Sequence, residues 1–252
     1  DFSRIQFTPD LMPSDVLGTT VFNMKTNGFD FHQGPIFADI VLVDEINRAP
    51  AKTQAALFEV MEERQVSIDG TTHRMGELYT ILATQNPVEQ EGTYKLPEAQ
   101  LDRFLMKITM DYPSLEEEVN ILERHHTNAA LVKLEDVTPV LTKEELLSLR
   151  ALMSRVFVDR TLLQYIALIV QQTRTSKAVY LGASPRASVA MLQSSKAYAL
   201  LQGRDFVTPE DIKFVAPYVL QHRLILTAEA EMEGYSPVKV TQRLIDKVEV
   251  PK

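Results

Sequence analysis

The sequence predicts an α/β core built around a parallel sheet, followed by an all-helical domain. Residues 1 to about 112 alternate short β-like runs with helical segments, which is typical of a parallel α/β layer. From Ser114 onward the pattern is helical and helix-start signals are frequent. We therefore expect two domains, 1–112 and 113–252, that meet near Tyr112-Pro113.

Four strands are expected in the core, over 3–7, 40–44, 79–84 and 104–110. The run from Ile40 to Val43 is apolar without alternation, as expected of a strand buried on both faces. A helix over 50–64 should follow this strand, because Leu57, Val60 and Met61 recur at helical spacing. The core should therefore contain a strand, a turn and a helix in succession.

Two hairpins are predicted to interrupt the core, at Asn27-Gly28 and at Asp69-Gly70. These dipeptides favour two-residue turns because both central positions of such a turn need positive φ. From the sequence alone, the hairpins could equally be surface decoration without a role.

Four or five helices are expected between 114 and about 226, whereas 227–252 carries no assignment. The signals are two S/T-x-x-E capping boxes, two N-caps followed by proline and one glycine stop. They lie at Ser114 with Glu117, Thr142 with Glu145, Ser184-Pro185, Thr208-Pro209 and Gly203.

Composition limits the function classes. The net charge of -8 gives no electrostatic footprint for nucleic acid or anionic lipid, and the chain contains no cysteine for disulfides or thiolate metal sites. The longest uncharged apolar stretch, 162–170, is too short to span a bilayer. The five histidines show no metal-binding spacing, so we expect packing or solvation roles for them. A soluble, cytoplasmic protein is expected, with neither nucleic acid nor membrane as a partner.

Two adjacent carboxylates, Asp44 and Glu45, follow directly on the apolar strand. In open α/β sheets the crevice at the carboxyl ends of the strands is where ligands bind. Hydrolysis of a nucleoside triphosphate needs one carboxylate to hold Mg²⁺ and another to orient or deprotonate water. The alternative interpretation is a pair of solvated acids that open a turn.

Asn86 ends the next apolar run, 81–86. If the two strands are neighbours, Asn86 lies beside Glu45 and can hydrogen-bond the attacking water or a γ-phosphate oxygen. Asn86 could instead simply start the Asn86-Pro87 turn.

Two arginines are candidates for contact with an anion. Arg103 lies at the end of a short helix expected over 97–102, where it could complement the helix dipole or reach the γ-phosphate of a neighbouring subunit. Arg186 is the second residue after the cap Ser184, so it could bind an anion at the helix start or form a surface salt bridge.

Four motifs together resemble the MoxR-type ATPases of the AAA+ superfamily. They are IVLVDEINRAP at 40–50, ATQNP at 83–87, LPEAQLDRF at 96–104 and GASPRA at 182–187. The resemblance covers nearly the whole chain, including RIQFTPDLMPSDVL at 4–17. It implies an AAA+ P-loop-type sheet core with a helical lid, and ATP and Mg²⁺ as cofactors.

The resemblance also implies a role for each candidate residue. Asp44 and Glu45 would be the Walker B pair, with Asp44 supporting Mg²⁺ and Glu45 activating water. Asn86 would be the sensor 1 residue, Arg103 the arginine finger offered to the adjacent subunit, and Arg186 the sensor 2 arginine of the lid. The two hairpins would match the helix 2 insert and the pre-sensor 1 insert of this clade.

Because an arginine finger works in trans, the resemblance implies a homo-oligomeric ring, most often a hexamer. MoxR-type proteins are regarded as chaperone-like remodellers that help mature or activate other proteins, including by metal cofactor insertion. They often act with a partner that carries a von Willebrand factor A domain. A non-catalytic scaffold and a DNA-translocating relative remain alternatives; the second is disfavoured because the hairpins offer only Lys25 and Arg74 alongside Asp30 and Asp69.

The sequence departs from the family at one place. None of the nine glycines belongs to a G-x-x-x-x-G-K-[ST] loop, which a family member carries, with a strand and a helix, before the segment that starts here at Phe2. We expect this P-loop unit to belong to the parent protein as a segment that is disordered, cleaved or omitted, with disorder as the leading hypothesis. The 252-residue stretch alone is then expected to be inactive.

Overall fold

The structure, a computed structural model, describes residues 1–86, 94, 96–127 and 137–251. Its first part contains a parallel sheet of three strands, in the spatial order Phe2–Gln6, Ile40–Asp44 and Thr80–Ala83, with two antiparallel hairpins beside it. The elements of this α/β part are β1 (Phe2–Gln6), α1 (Pro13–Leu17), β2 (Gly18–Asn23), β3 (Gly28–Gln33), β4 (Ile40–Asp44), α2 (Ala51–Glu63), β5 (Gln65–Ile68), β6 (Thr71–Arg74), β7 (Thr80–Ala83) and α3 (Glu98–Leu101).

The second part is mainly helical. In the described parts of 114–226 there are five helices, α4 to α8, as the capping signals predict, and the unassigned tail forms α9 and α10. The elements are α4 (Leu115–His126), α5 (Lys143–Leu152), α6 (Arg160–Thr175), β8 (Val179–Leu181), α7 (Pro185–Leu201), α8 (Pro209–Leu220), β9 (Ile225–Leu226), α9 (Ala228–Met232) and α10 (Pro237–Lys247).

The predicted helix starts are confirmed in detail. Ser114 and Thr142 each accept a hydrogen bond from the backbone of the glutamate three residues later, which completes both capping boxes. Ser184 accepts from the Arg186 N–H, and Gly203 follows α7 with a φ of 73°. These starts were predictable because caps depend on a few adjacent residues.

The central strand β4 is covered mainly on one face. Val41 and Val43 are fully buried in a cluster with Leu57 of α2, but Ile40 is 42% exposed. The prediction of burial on both faces is therefore wrong. Leu57 packs in one cluster with the two valines, so among the described residues full apolar cover is found on the face of β4 that carries Val41 and Val43.

Both hairpins are confirmed, but only one of the predicted turns is. Asp69 and Gly70 have φ values of 49° and 79°, and the flanking residues pair as a two-residue turn requires. At the other hairpin, Gly28 belongs to β3 and pairs with Asn23 of β2. The two-residue turn at Asn27-Gly28 is thus wrong, because the loop has four residues and Asn27 supplies the positive φ.

The predicted strand over 104–110 is also wrong. Its backbone groups pair with the C-terminal end of α8 instead of a strand: the Lys107 N–H donates to the Tyr218 carbonyl at 2.9 Å. The Arg223 guanidinium donates to the Phe104 carbonyl at 2.6 Å. Because the Lys107 N–H and the Phe104 carbonyl are paired with α8 and the chain just after it, 104–110 runs there as irregular chain.

Among the described residues, the two largest of three buried apolar clusters correspond to the two parts of the chain, and the third is a small cluster of Leu226, Ala230, Val240 and Leu244. Of the two largest, one draws its residues from 5–96 and the other from 156–248, with Met106 packed against the latter. The predicted domain boundary at 112/113 stays a prediction, and within the predicted lid the residues 128–136 and Lys252 lie outside the described ranges. Among the helices that the structure describes, none combines the length and apolar character needed to cross a membrane.

Candidate functional site

The chain turns sharply where β4 ends. Asp44 is the last residue of the strand, and Glu45 follows with a left-handed φ of 53°. Thr84, directly after β7, fixes this turn: its hydroxyl accepts the Glu45 N–H at 3.0 Å and donates to Asp44 Oδ1 at 3.3 Å. A positive φ at a residue other than glycine is uncommon, and such conformations cluster at functional sites. The adjacent strands therefore hold both carboxylates at one edge of the sheet, as predicted.

Asp44 is largely shielded and lies beside a cation. Its side chain is 14% exposed, and Arg4 Nε donates to Asp44 Oδ2 at 2.6 Å. Mg²⁺ in phosphate sites is usually held through one or two carboxylates together with phosphate oxygens and water. A single shielded carboxylate at a strand end fits that donor set, and the described residues contain no cluster of three or more acidic or histidine side chains for another kind of metal site.

Glu45 is held by two donors that both reach Oε2. Gln6 Nε2 donates at 2.9 Å and an Arg48 guanidinium nitrogen at 3.0 Å. Sequence reasoning missed Gln6 and Arg4. They alternate along β1, but their contacts depend on the parallel register that aligns Gln6 with Asp44, which no pattern within the strand itself indicates.

Asn86 follows β7, which is the neighbour of β4 as its predicted role requires. Its backbone carbonyl accepts a hydrogen bond from Asn47 Nδ2 at 3.3 Å, and Asn47 itself is buried. Asn47 thus ties the chain after β7 to the turn after β4. Pro87, and with it the alternative Asn86-Pro87 turn, lies outside the described residues.

Arg103 and Arg186 meet at one carboxylate, that of Glu62 in the last turn of α2. Arg103 pairs with Glu62 Oε2 and Arg186 with Glu62 Oε1. Arg103 also donates to the Phe58 carbonyl, one turn earlier in α2, at 3.5 Å. The end of α2 therefore receives a cation from the end of α3 and a second one from the start of α7.

A buried ion pair supports this arginine cluster. Arg223, whose side chain is 3% exposed, donates through Nε to Asp102 Oδ1 at 2.9 Å. Ser184, the cap of α7, donates to Asp102 Oδ2 at 2.8 Å, and an Arg186 nitrogen lies 3.8 Å from the same oxygen. Asp102, which directly precedes Arg103, thus contacts the start of the helix that carries Arg186.

Burial changes the titration of two residues in this region. It lowers the pKa of the Arg223 guanidinium, whereas Asp102 acts in the opposite direction. Burial also lowers the pKa of His222 to about 4, and the neighbouring Arg223 adds to that shift. His222 is therefore neutral near pH 7, and its Nε2 lies 3.0 Å from the Phe104 carbonyl oxygen.

Asp102→Asn is expected to lower the free energy of unfolding by about 3 kcal/mol, since Arg223 would keep a buried charge without its counter-charge. Urea unfolding followed by circular dichroism measures the change. Asp111→Asn removes an exposed carboxylate nearby and serves as the matched control. Equal unfolding midpoints for the two variants would show that the Arg223 charge does not depend on Asp102.

The predicted site residues form two groups. Asp44, Glu45 and the chain at Asn86 lie together at the strand ends, and Arg103 and Arg186 lie together at Glu62. Within the described residues, no ion pair joins either carboxylate of the first group to either arginine of the second.

Comparisons with known proteins give a consistent result. The family model described as "ATPase family associated with various cellular activities (AAA)" matches residues 1–106, and the model described as "AAA lid domain" matches residues 171–246. The chain is 48% identical over 251 residues to the uncharacterized protein YeaC of Bacillus subtilis, covering 100% of this chain and 78% of that protein.

It is also 44% identical over 260 residues to chaperone MoxR1 of Mycobacterium tuberculosis, covering 100% of this chain and 68% of that protein. A candidate ATPase of Cytophaga hutchinsonii, solved by crystallography, matches with a TM-score of 0.90 and 42% identity. That match covers 100% of this chain and 78% of the other. The relatives therefore share both the sheet-containing part and the helical part.

Proposed function

The chain belongs to the MoxR-type AAA+ ATPases, and from this premise we propose that the protein hydrolyses Mg²⁺-ATP at the interfaces of a homo-oligomeric ring. The ring would be a hexamer, and its turnover would drive the remodelling of partner proteins. One observation supports this proposal most strongly: Thr84 holds Asp44 and the left-handed Glu45 at the edge of two adjacent parallel strands. Two carboxylates held in this way match the needs of triphosphate hydrolysis.

Glu45 is proposed to take the proton from the attacking water. Its Oε2 is fixed by Gln6 and Arg48, so the carboxylate keeps one orientation while it acts as a base. Asn86 would hydrogen-bond the same water or a γ-phosphate oxygen. Because Glu45 and Asn86 would hold the water in place before the reaction, the entropic cost of bringing water and phosphate together is lower.

Asp44 is proposed to hold the metal, and the two arginines to contact phosphate oxygens. Bound Mg²⁺ would neutralise charge on the phosphate oxygens. Arg103 would serve as the finger for the nucleotide of the neighbouring subunit, and Arg186 as the lid arginine. A guanidinium suits this task because its planar donors match phosphate oxygens in pairs.

The biological role is proposed by analogy with the relatives. Chaperone MoxR1 is 44% identical to this chain, so we propose a chaperone-like action on client proteins in the cytoplasm. A partner with a von Willebrand factor A domain would couple the ring to its client. The chain's net charge of -8 supports a protein client over a nucleic acid.

The full-length protein is expected to release phosphate from ATP, to lose this activity when EDTA removes Mg²⁺, and to have the mass of a ring. A phosphate-release assay and light scattering measure these properties, with restored Mg²⁺ as the control for EDTA. ATP binding without any hydrolysis would contradict the proposal and favour the non-catalytic scaffold.

A further inference from the structure

Glu62 is the point at which the two proposed phosphate-binding arginines meet. Each of its carboxylate oxygens pairs with a different arginine, Oε2 with Arg103 and Oε1 with Arg186. The two arginines are 83 positions apart in the sequence (186 minus 103) and come from different structural parts. One side chain therefore holds two cations that are each proposed to contact a γ-phosphate.

The arrangement is more constrained than a pair of exposed salt bridges. Arg103 also donates to the Phe58 carbonyl, and Phe104 packs edge-on against Phe58 with ring centroids 5.9 Å apart. On the other side, Asp102 accepts the Ser184 hydroxyl at 2.8 Å. These contacts bring the start of α7 and the end of α3 to the same turn of α2.

A carboxylate and a phosphate compete for the same guanidinium donors. Both groups are anionic acceptors that an arginine can bind through two parallel hydrogen bonds. While Glu62 holds the arginines, their donors point to a protein carboxylate, and a phosphate must displace it. Glu62 therefore affects both how easily the arginines reach the phosphate and how they are oriented when they do.

We propose that Glu62 is a positioning residue that holds Arg103 and Arg186 and releases each of them to a γ-phosphate. This inference rests on the function proposed above. It assigns to α2 a part in catalysis that involves no contact with the nucleotide. The arginines act on the phosphate, and Glu62 acts through them.

Loss of the Glu62 charge should lower both KM and kcat, which affect the rate of hydrolysis in opposite directions. In Glu62→Gln the phosphate no longer competes with a carboxylate, so the KM for ATP should fall about threefold, as expected for partly exposed ion pairs. The arginines also lose their fixed positions, so kcat should fall roughly tenfold. A purely structural role would lower activity and stability together without this split.

The test uses three variants of the full-length protein, each assayed for phosphate release over a range of ATP concentrations. Glu62→Gln should show the split, and Glu62→Asp should restore the wild-type KM, because a competing carboxylate is present again. Glu63→Gln is the matched control: it removes the same charge one residue along α2, from an exposed side chain, and should behave as the wild type.

A binding measurement keeps the test independent of turnover. In the Glu45→Gln background, added Glu62→Gln should tighten the binding of Mg²⁺-ATP about threefold. In a background that also carries Arg103→Ala and Arg186→Ala, the same change should have no effect, because Glu62 has lost both partners. An equal effect in both backgrounds would overturn the proposal.

The outcomes separate this inference from the proposed function. If the wild type hydrolyses ATP and Glu45→Gln does not, but Glu62→Gln matches Glu63→Gln in KM and kcat, only the role of Glu62 fails. If the wild type binds ATP without hydrolysis, the proposed function fails and the inference with it. A threefold change in KM with an unchanged kcat would also overturn the positioning role.

Discussion

Replacing Glu45 with glutamine is expected to lower kcat for ATP hydrolysis by roughly 10²–10⁴-fold while ATP binding persists. The amide has nearly the same shape as the carboxylate, but it cannot accept a proton from the attacking water. Asp44, proposed to support the metal, is unchanged in this variant. Phosphate release measures the loss of turnover, and titration with a fluorescent ATP analogue measures the retained binding.

Glu59→Gln is a suitable control for this variant. Glu59 is an exposed glutamate of α2, and its loss should leave hydrolysis at the wild-type rate. Unchanged hydrolysis in Glu45→Gln would remove Glu45 from the base role. Loss of ATP binding together with turnover would instead indicate that Glu45 supports the nucleotide site.

Arg103→Ala is expected to lower kcat by roughly 10³–10⁵-fold, which is the range for arginine fingers in phosphoryl transfer. The guanidinium would otherwise balance the negative charge that develops on the γ-phosphate oxygens. Binding of ATP should change little, because the subunit that binds the nucleotide keeps its own Asp44 and Glu45. Steady-state phosphate release with a parallel nucleotide titration measures both effects.

The variant's stability distinguishes catalysis from folding. Arg103→Ala removes a partly exposed pair with Glu62 and a long hydrogen bond, 3.5 Å, to the Phe58 carbonyl, so the free energy of unfolding should change by about 1 kcal/mol or less. Arg124→Ala removes an exposed arginine from the last turn of α4 and is the matched control. A decrease in kcat of less than about tenfold would contradict the finger role of Arg103.

Local patterns in the sequence predicted the carboxylate edge of the site. The apolar run 40–43, the acids after it and the periodic helix that follows are set by adjacent residues, and they appear in the structure as β4, a turn and α2. The capping boxes at Ser114 and Thr142 were predictable for the same reason.

Contacts between distant segments were not predictable in this way. Glu62 meets Arg186 across 124 positions, and Gln6 meets Glu45 across 39. No periodicity within one element signals such pairs, since they depend on which elements pack together. The prediction of a strand over 104–110 failed for a related reason. The partners of this segment, at the end of α8 and just after it, are set by tertiary structure.

The central claim is that each active site is shared, with Glu45 from one subunit and Arg103 from its neighbour. Mixing full-length Glu45→Gln and Arg103→Ala proteins tests it most directly, since head-to-tail interfaces of a mixed ring would reunite an intact Glu45 with an intact Arg103. In a random equal mixture, about half of the subunits carry an intact Glu45, and about half of their neighbours carry an intact Arg103. The shared-site account therefore predicts recovery to about a quarter of the wild-type rate. If mixed rings, verified by mass, hydrolyse ATP no faster than the separate variants, the account is contradicted.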